Sequence, residues 1–353
     1  MVDVVDTFQR VLDSILSKNP DVVIHAGDFF DKDRPPNLVI ITAYKRLVRF
    51  QKLREGRPFI LIAGNHDSPK AIGAGNILSI FGEHEQTEYS IPGVYVVESQ
   101  ARRVVLHEIR LEALCLPWRG ETTTLDMTPI DRNYTCLIAA HGLDGALGIP
   151  GATLSLSRMH YDQWDYLALG DYHIRKELAP NAWYCGSTDF TSTNFWEEDL
   201  VKGWNLFDSE TRRVEFVPVE PVRAPVPLPN IDARGLSGAE IGEALQRNAH
   251  WEDGAFPMVR QCVLNCDPIA RAEVPHNVRT ELQARALHYQ LDMFLAPRED
   301  KSDGDTTPRG ATLNDDWQSY AEERQLPLAI DRKEFIDTGH RLMKEAGSAS
   351  SED

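Results

Sequence analysis

The sequence lacks an apolar run approaching the roughly 20 residues that span a bilayer, so no membrane role is expected. Its amino terminus carries Asp3 and Asp6 and no basic region, and does not read as a secretory signal. Cysteine is sparse. Cys115, Cys136, Cys185, Cys262 and Cys266 stand without paired spacing, which argues for buried reduced thiols over disulfides or a zinc knuckle. Together these absences describe a reducing, cytoplasmic setting. Positive charge is also short: 37 basic against 54 acidic residues give a net charge of −17. Such a chain does not coat nucleic acid by charge alone. A nucleic-acid enzyme stays open, because two bound divalent ions would bring about four positive charges to a phosphate. Composition by itself leans towards a small-molecule or protein substrate.

What is present is a repeated device. Asp21 to Asp28 (DVVIHAGD) is an apolar run that ends in Gly-Asp, and Pro58 to Asp67 (PFILIAGNHD) ends in Gly-Asn-His-Asp. Each reads as a buried parallel strand stopped by a glycine, with polar residues delivered at its carboxyl end, where open α/β sheets build their sites. Leu137 to Gly142 (LIAAHG) offers His141, and Tyr166 to His173 (YLALGDYH) offers Asp171 and His173. Alone, Asp28 reads as a turn or helix-cap residue and His141 as a loop histidine. Four strand ends converging on Asp, Asn and His suit two hard or borderline divalent cations, and hence a metal-dependent phosphoesterase. His25, His84, His107 and His160 lack such context and read as structural.

Strands and helices alternate up to Phe81, which signals an α/β layered domain: helix Met1–Leu16, strand Asp21–Ala26, helix Asn37–Arg54, strand Phe59–Ala63 and a short helix near Asn76–Phe81. Short strands dominate from Val94 to Pro117 and again from Ala182 to Val217. The expected fold is therefore α/β (α+β layered), with two facing mixed β-sheets flanked by helices over residues 1–217. Pro218 to Asn230 is crowded with proline, excludes helix and central strand, and reads as a stiff linker. Residues 231–297 read as a small α+β cap, with helices Gly238–Asn248 and Asn277–Leu287 and a strand Met258–Leu264. Residues 298–312 are polar and read as disordered. Residues 313–353 return to helix and end in a tail, with Asp331 and Glu334 spaced as a capping box.

The motifs from Gly27 to His173 resemble the calcineurin-like metallophosphoesterase superfamily: Gly-Asp, Gly-Asn-His-Asp, a lone His, and a Gly-His-x-His that here is Gly170-Asp171-Tyr172-His173. The resemblance implies the metallophosphoesterase fold and two divalent ions, manganese first and magnesium as the other choice. It implies that Asp28 bridges both, that Asn65, His141 and Asp171 complete one site, and that His173 belongs to the other. Asp171 departs from the usual His, which bears on metal preference. His66 resembles the non-ligand histidine that protonates the leaving oxygen, with hydrolysis by direct attack of metal-bound hydroxide. Asp31 matches the position of an Asp that orients this His, or is a solvated loop acid. The superfamily's opening Asp-x-His has no counterpart, because Met1 to Leu16 reads as an amphipathic helix; the expectation is a truncated sequence.

Asp31 to Pro36 (DKDRPP), Gly64 to Phe81 and Leu169 to Phe195 look like the SbcD-type DNA repair exonucleases. That resemblance implies a DNA exo/endonuclease subunit that partners an SbcC-type coiled-coil SMC-like ATPase, with a homodimer as a further option and a cytoplasmic, nucleoid-associated place. Arg285 and His288 are expected on one helix face, near Arg279, as either a phosphate-facing patch or a solvated face. The apolar residues of Leu313 to Ala346 either pack back on the cap or dock on the ATPase coiled coil. A phosphatase acting on a small molecule or phosphoprotein, and a non-catalytic subunit, remain the alternatives.

Overall fold

Apolar residues recur at helical spacing in Val2–Lys18 (α1) and Asn37–Leu53 (α2), and both helices lay that face on one sheet. Val11, Leu12 and Ile15 of α1 and Leu47 and Phe50 of α2 pack with Phe59, Leu61, Val94 and Val96. Those last four belong to a parallel sheet of β1 (Val23–His25), β2 (Phe59–Ile62) and β3 (Val94–Val97), with β2 central and buried at every residue. Two acids of α1 find cations: Asp3 accepts from Arg223 at 2.7 Å and Asp6 lies 3.2 Å from Arg46. The computed structural model describes residues 2–71, 74–118, 120, 125–192, 194–252, 254–296, 317–318, 320–322 and 331–349. Among these, no helix is long and apolar enough to cross a membrane.

A second sheet runs in the order β4 (Arg102–Leu106), β5 (Leu111–Leu116), β6 (Thr135–His141), β7 (Tyr166–Gly170), β9 (Ala182–Tyr184), β8 (Lys176–Ala179). Its inner strands are parallel, and β4 and β8 close the edges antiparallel. Side chains alternate along these strands. Ala113, Cys115, Leu137 and Ala139 meet Ile60, Ile62 and Val97 of the first sheet, whereas Leu114, Leu116, Ile138 and Ala140 fill a core on the far side. The two sheets thus face each other with α1 and α2 outside. An antiparallel ribbon, β10 (Lys202–Asp208) and β11 (Arg213–Val219), adds Phe207 and Val214 to the shared core.

The proline-rich stretch is ordered. Pro218 lies in β11, and Pro225–Pro227 forms β12, which pairs only with β14 (Met258–Cys266), the edge setting that a missing N–H allows. β13 (Ile231–Asp232) and β15 (His288–Leu295) complete this parallel sheet around β14, and α3 (Gly238–Asn248), α4 (Pro268–Glu273) and α5 (His276–Arg285) cover it with a core of their own. Two expectations change here. The segment near Asn76 is a 3-10 turn, Ile77–Ile80, capped by the Asn76 side chain on Leu78 N at 2.9 Å. The helix expected to reach Leu287 stops at Arg285, because Ala286 extends so that His288 can pair with Met258. Arg285 and His288 therefore share no helix face; the Arg285 guanidinium lies over Trp251 instead.

Met1–Leu295 is one compact unit and Ala296–Asp353 a second. In the second, α6 (Arg332–Ala349) starts with Asp331 accepting from Glu334 N at 3.0 Å, half of the expected capping box. Trp317 donates to the Ile336 carbonyl at 3.1 Å and packs on Phe335, and a β-carbon at Gly339 would strike its indole at 2.2 Å. The expected disordered stretch at 298–312 lies outside the described residues.

Leu47 is wholly buried between α1 and the first sheet. Leu47→Ala is expected to cost about 2–5 kcal/mol of stability, read from urea denaturation.

Candidate metal centre

The strand ends that carry the motifs arrive side by side. After β1, residues Ala26, Gly27 and Asp28 turn across the sheet, and Gly64 and Asn65 follow β2; His141 ends β6, and Asp171 follows β7. Three glycines let these backbones touch. A β-carbon on Gly64 would lie 2.1 Å from Asp28 Oδ1, one on Gly170 1.9 Å from the Ala26 carbonyl oxygen, and one on Gly27 2.2 Å from His141 Nδ1. Asp28 (φ 55°) and Asp171 (φ 95°) both adopt left-handed backbone, which Asp enters more readily than most side chains.

Asp67, wholly buried, fastens the two glycine loops together. Its carboxylate accepts from Phe30 N at 2.7 Å and from Phe29 N and Gly64 N at 3.0 Å. Burial raises its pKa and these bonds oppose the rise. Asp28 Oδ1 in turn accepts from His66 N at 2.9 Å.

His141 is the pivot. Its Nδ1 donates to the Ala26 carbonyl at 2.8 Å, which leaves the lone pair on Nε2 directed inward. Nε2 lies 2.9 Å from Asn65 Oδ1, 3.5 Å from Asp28 Oδ2 and 3.9 Å from Asp171 Oδ1. Ligand atoms of Asp28, His141 and Asp171 all fall within 4.8 Å of one another. Burial pushes the Asp171 carboxyl up, with the Asp28 charge adding to the shift and His141 opposing it. Acceptors converging without a donor between them, two of them carboxylates, fit a divalent cation.

His173 is held apart from that triad. Its Nδ1 meets Glu198 Oε1 at 2.9 Å, which fixes the ring and leaves Nε2 as the nitrogen a metal could take. Glu198 is almost completely buried and also takes hydrogen bonds from Lys202 Nζ at 2.6 Å, Ser187 at 3.2 Å and Ser192. Burial raises the Glu198 carboxyl, yet the bonds from His173, Lys202 and Ser192 outweigh it and hold the pKa at about 2. His66 stands exposed at the rim, its Nδ1 donating to the carbonyl of Asp31 at 2.8 Å. The Asp31 carboxylate is 3.8 Å away and mostly in solvent, so the backbone of Asp31, not its side chain, orients the ring. That carbonyl raises the His66 pKa first; burial opposes it, and Asp28, Asp31 and Asp67 add to the rise.

Sequence reasoning missed Glu198 and its buried partner Lys202. They sit in an irregular loop and at a strand start, where no periodicity or motif marks them. Asp67 was visible in its motif but its task was not. His25 is close by as well: its ring packs on Phe29, and its buried Nδ1 has no hydrogen-bond partner among the described residues. Burial pulls its pKa down to about 4, so the ring is neutral beside the cluster.

Residues 3–127 match the family model described as calcineurin-like phosphoesterase. Over those residues the chain is similar to the calcineurin-like phosphoesterases. Asp28 and Gly64–Asp67 fall inside the matched stretch; His141, Asp171 and His173 lie beyond it and join the domain through the second sheet. The chain is 46% identical over 187 residues to the DNA double-strand break repair protein Mre11 of Sulfurisphaera tokodaii, covering 49% of this chain and 44% of that protein. It is 25% identical over 244 residues to Mre11 of Methanocaldococcus jannaschii, 62% of this chain and 60% of that one. The SbcD subunit of the nuclease SbcCD from Bacillus subtilis matches at 34% over 77 residues, 22% and 19% of the two chains. The chain thus spans less than two thirds of the length of these relatives.

The contact of Gly170 with the Ala26 carbonyl generates a test in the phosphoesterase domain. Gly170→Ala must push that carbonyl off His141, and manganese binding, followed by calorimetry, is expected to weaken by about 10–100-fold.

Proposed function

We propose that this chain is the nuclease subunit of a DNA repair assembly and hydrolyses DNA phosphodiesters with two divalent ions, manganese by preference. The observation that carries the reading is the acceptor cluster of Asp28, Asn65, His141 and Asp171, closed up by glycines at adjacent strand ends. The relatives' printed names, DNA double-strand break repair protein and nuclease subunit, support DNA as the substrate and a partnered state. In this reading Asp28, Asn65, His141 and Asp171 would hold one ion, and Asp28 with His173 would serve the other. When bound, such ions neutralise phosphate charge and activate water, so no Ser or Cys nucleophile is required.

The residues of the chain divide the remaining work. With the Nδ1 atoms of His141 and His173 engaged by Ala26 and Glu198, Nε2 is the ring nitrogen each has left to offer a metal. His66, held by the Asp31 carbonyl and favoured in its protonated form, delivers a proton to the leaving oxygen. Its exposure leaves it open to a polymeric substrate. Residues 231–297 act as a cap beside the nuclease domain of residues 1–217. The carboxyl-terminal segment from 313 onwards docks on the coiled coil of an SMC-like ATPase, helix against groove. The exposed stripe Leu38, Ile41, Tyr44 and Val48 on α2 supports pairing of two copies. The setting is cytoplasmic, at the nucleoid.

Two experiments decide this. With linear duplex DNA and manganese, the chain is expected to release nucleotides, and His66→Ala is expected to keep its manganese by elemental analysis while turnover falls by about 10²–10⁴-fold. Hydrolysis of phosphomonoesters with DNA left intact would replace the nuclease reading by a phosphatase. Ending the chain at Arg298 is expected to preserve metal binding and abolish retention of the coiled-coil ATPase in a pull-down; undiminished retention removes the docking role.

A further inference from the structure

The 3-10 turn Phe195–Glu197 touches two places at once. Directly behind it, Glu198 grips His173, and Lys202 and the serines 187 and 192 leave that carboxylate no freedom to turn. In front, the Trp196 indole N–H donates to Gln290 Oε1, and the Phe195 and Trp196 rings lie 5.7 and 6.2 Å from the His288 ring. His288 and Gln290 belong to β15, in a sheet that supplies none of the candidate ligands. Gln290 is anchored in its turn: its amide donates to Asp292 at 3.0 Å, and Asp292 is held by Arg260 of β14 at 2.6 Å. Phe195 is buried between Trp196, 4.5 Å between ring centres, and Phe190, over which the Lys202 ammonium sits at 4.6 Å. Glu198 N donates to the Phe195 carbonyl at 3.2 Å, so hydrogen bonds, packed rings and the Lys202 ammonium over Phe190 connect Arg260 to His173.

We propose that this turn is a strut that sets the His173 ring according to how the β14–β15 sheet is seated, so that metal affinity at His173 depends on Trp196 and Gln290. The inference rests on the metal reading of His173 given above. Trp196 and Gln290 are positioning residues: they act through Glu198 and touch no ligand themselves. A purely structural packing contact would alter melting but not the histidine tautomer or the affinity for metal, which separates the two roles.

The test uses the full chain. Nitrogen-15 imidazole spectra without metal are expected to show His173 as a single tautomer protonated at Nδ1, and to show mixed tautomers in Trp196→Ala and Gln290→Ala. Titration with manganese, with the free ion read by electron paramagnetic resonance, is expected to show binding weakened about 3–30-fold in those two variants. Glu198→Ala, which removes the grip itself, is expected to weaken it about 10–100-fold. Wild-type tautomer and affinity in both Trp196→Ala and Gln290→Ala would overturn the strut. Should Trp196→Ala fail to fold, Gln290→Ala, a change at a partly exposed polar residue, decides alone. A wild-type chain that bound no manganese would instead strike the metal reading, and the metal-free spectra would still decide whether the turn positions His173.

Discussion

The hydrogen bonds of one buried carboxylate hold the two glycine loops in register, and the rest of the site depends on them. Asp67 gathers N–H groups from residues 29, 30 and 64, which belong to loops after different strands. With the loops so joined, Gly64 comes close enough to Asp28 that no side chain fits between them. Buried acceptors that find several donors are stable, and one left unmatched is costly, so this junction has little room for alternatives. The same logic repeats at Glu198, where a lysine and hydroxyls surround the carboxylate. In both places a buried acid of fixed position aims a neighbour and makes no contact that would bind a substrate.

This helps to reconcile the chain's acidity with the anionic substrate proposed for it. Two interior carboxylates carry their own compensation: Glu112 pairs with Arg103, and Glu198 with Lys202. The carboxylates of Asp28 and Asp171 instead converge with one another around His141. Negative charge is concentrated where a cation is wanted, and a bound cation would reverse the local sign. Net charge would be a poor guide to the substrate of a protein whose acids gather to hold cations.

Much of this was legible in the sequence where a physical pattern repeats. The apolar runs ending in Gly-Asp and Gly-Asn-His-Asp marked β1 and β2, and their glycines marked where backbones must touch. The alternation of residues 111–116 and 137–141 between two cores is the ordinary mark of a strand buried on both faces. Less was legible where the decisive contact is long-range. That the Asp31 carbonyl would hold His66 depends on loop backbone, which no residue type announces. Glu198 could not be told from its acidic neighbours Glu197 and Asp199 until the fold buried it beside Lys202. The overlong α5 erred because helical propensity continues through Ala286 and Leu287, while pairing with β14 demands extended chain there.

The bond from His141 to the Ala26 carbonyl joins residues 115 positions apart in the chain. The two residues stand at the ends of strands in different sheets, so forming this bond must first close a long loop. Contacts of that separation form late and slowly during folding. The cluster of Asp28, His141 and Asp171 therefore comes together only after both sheets have found each other, and helices and local turns alone do not form it. The cluster is thus a product of the finished fold, and a partly folded molecule has no such set of acceptors to offer a cation.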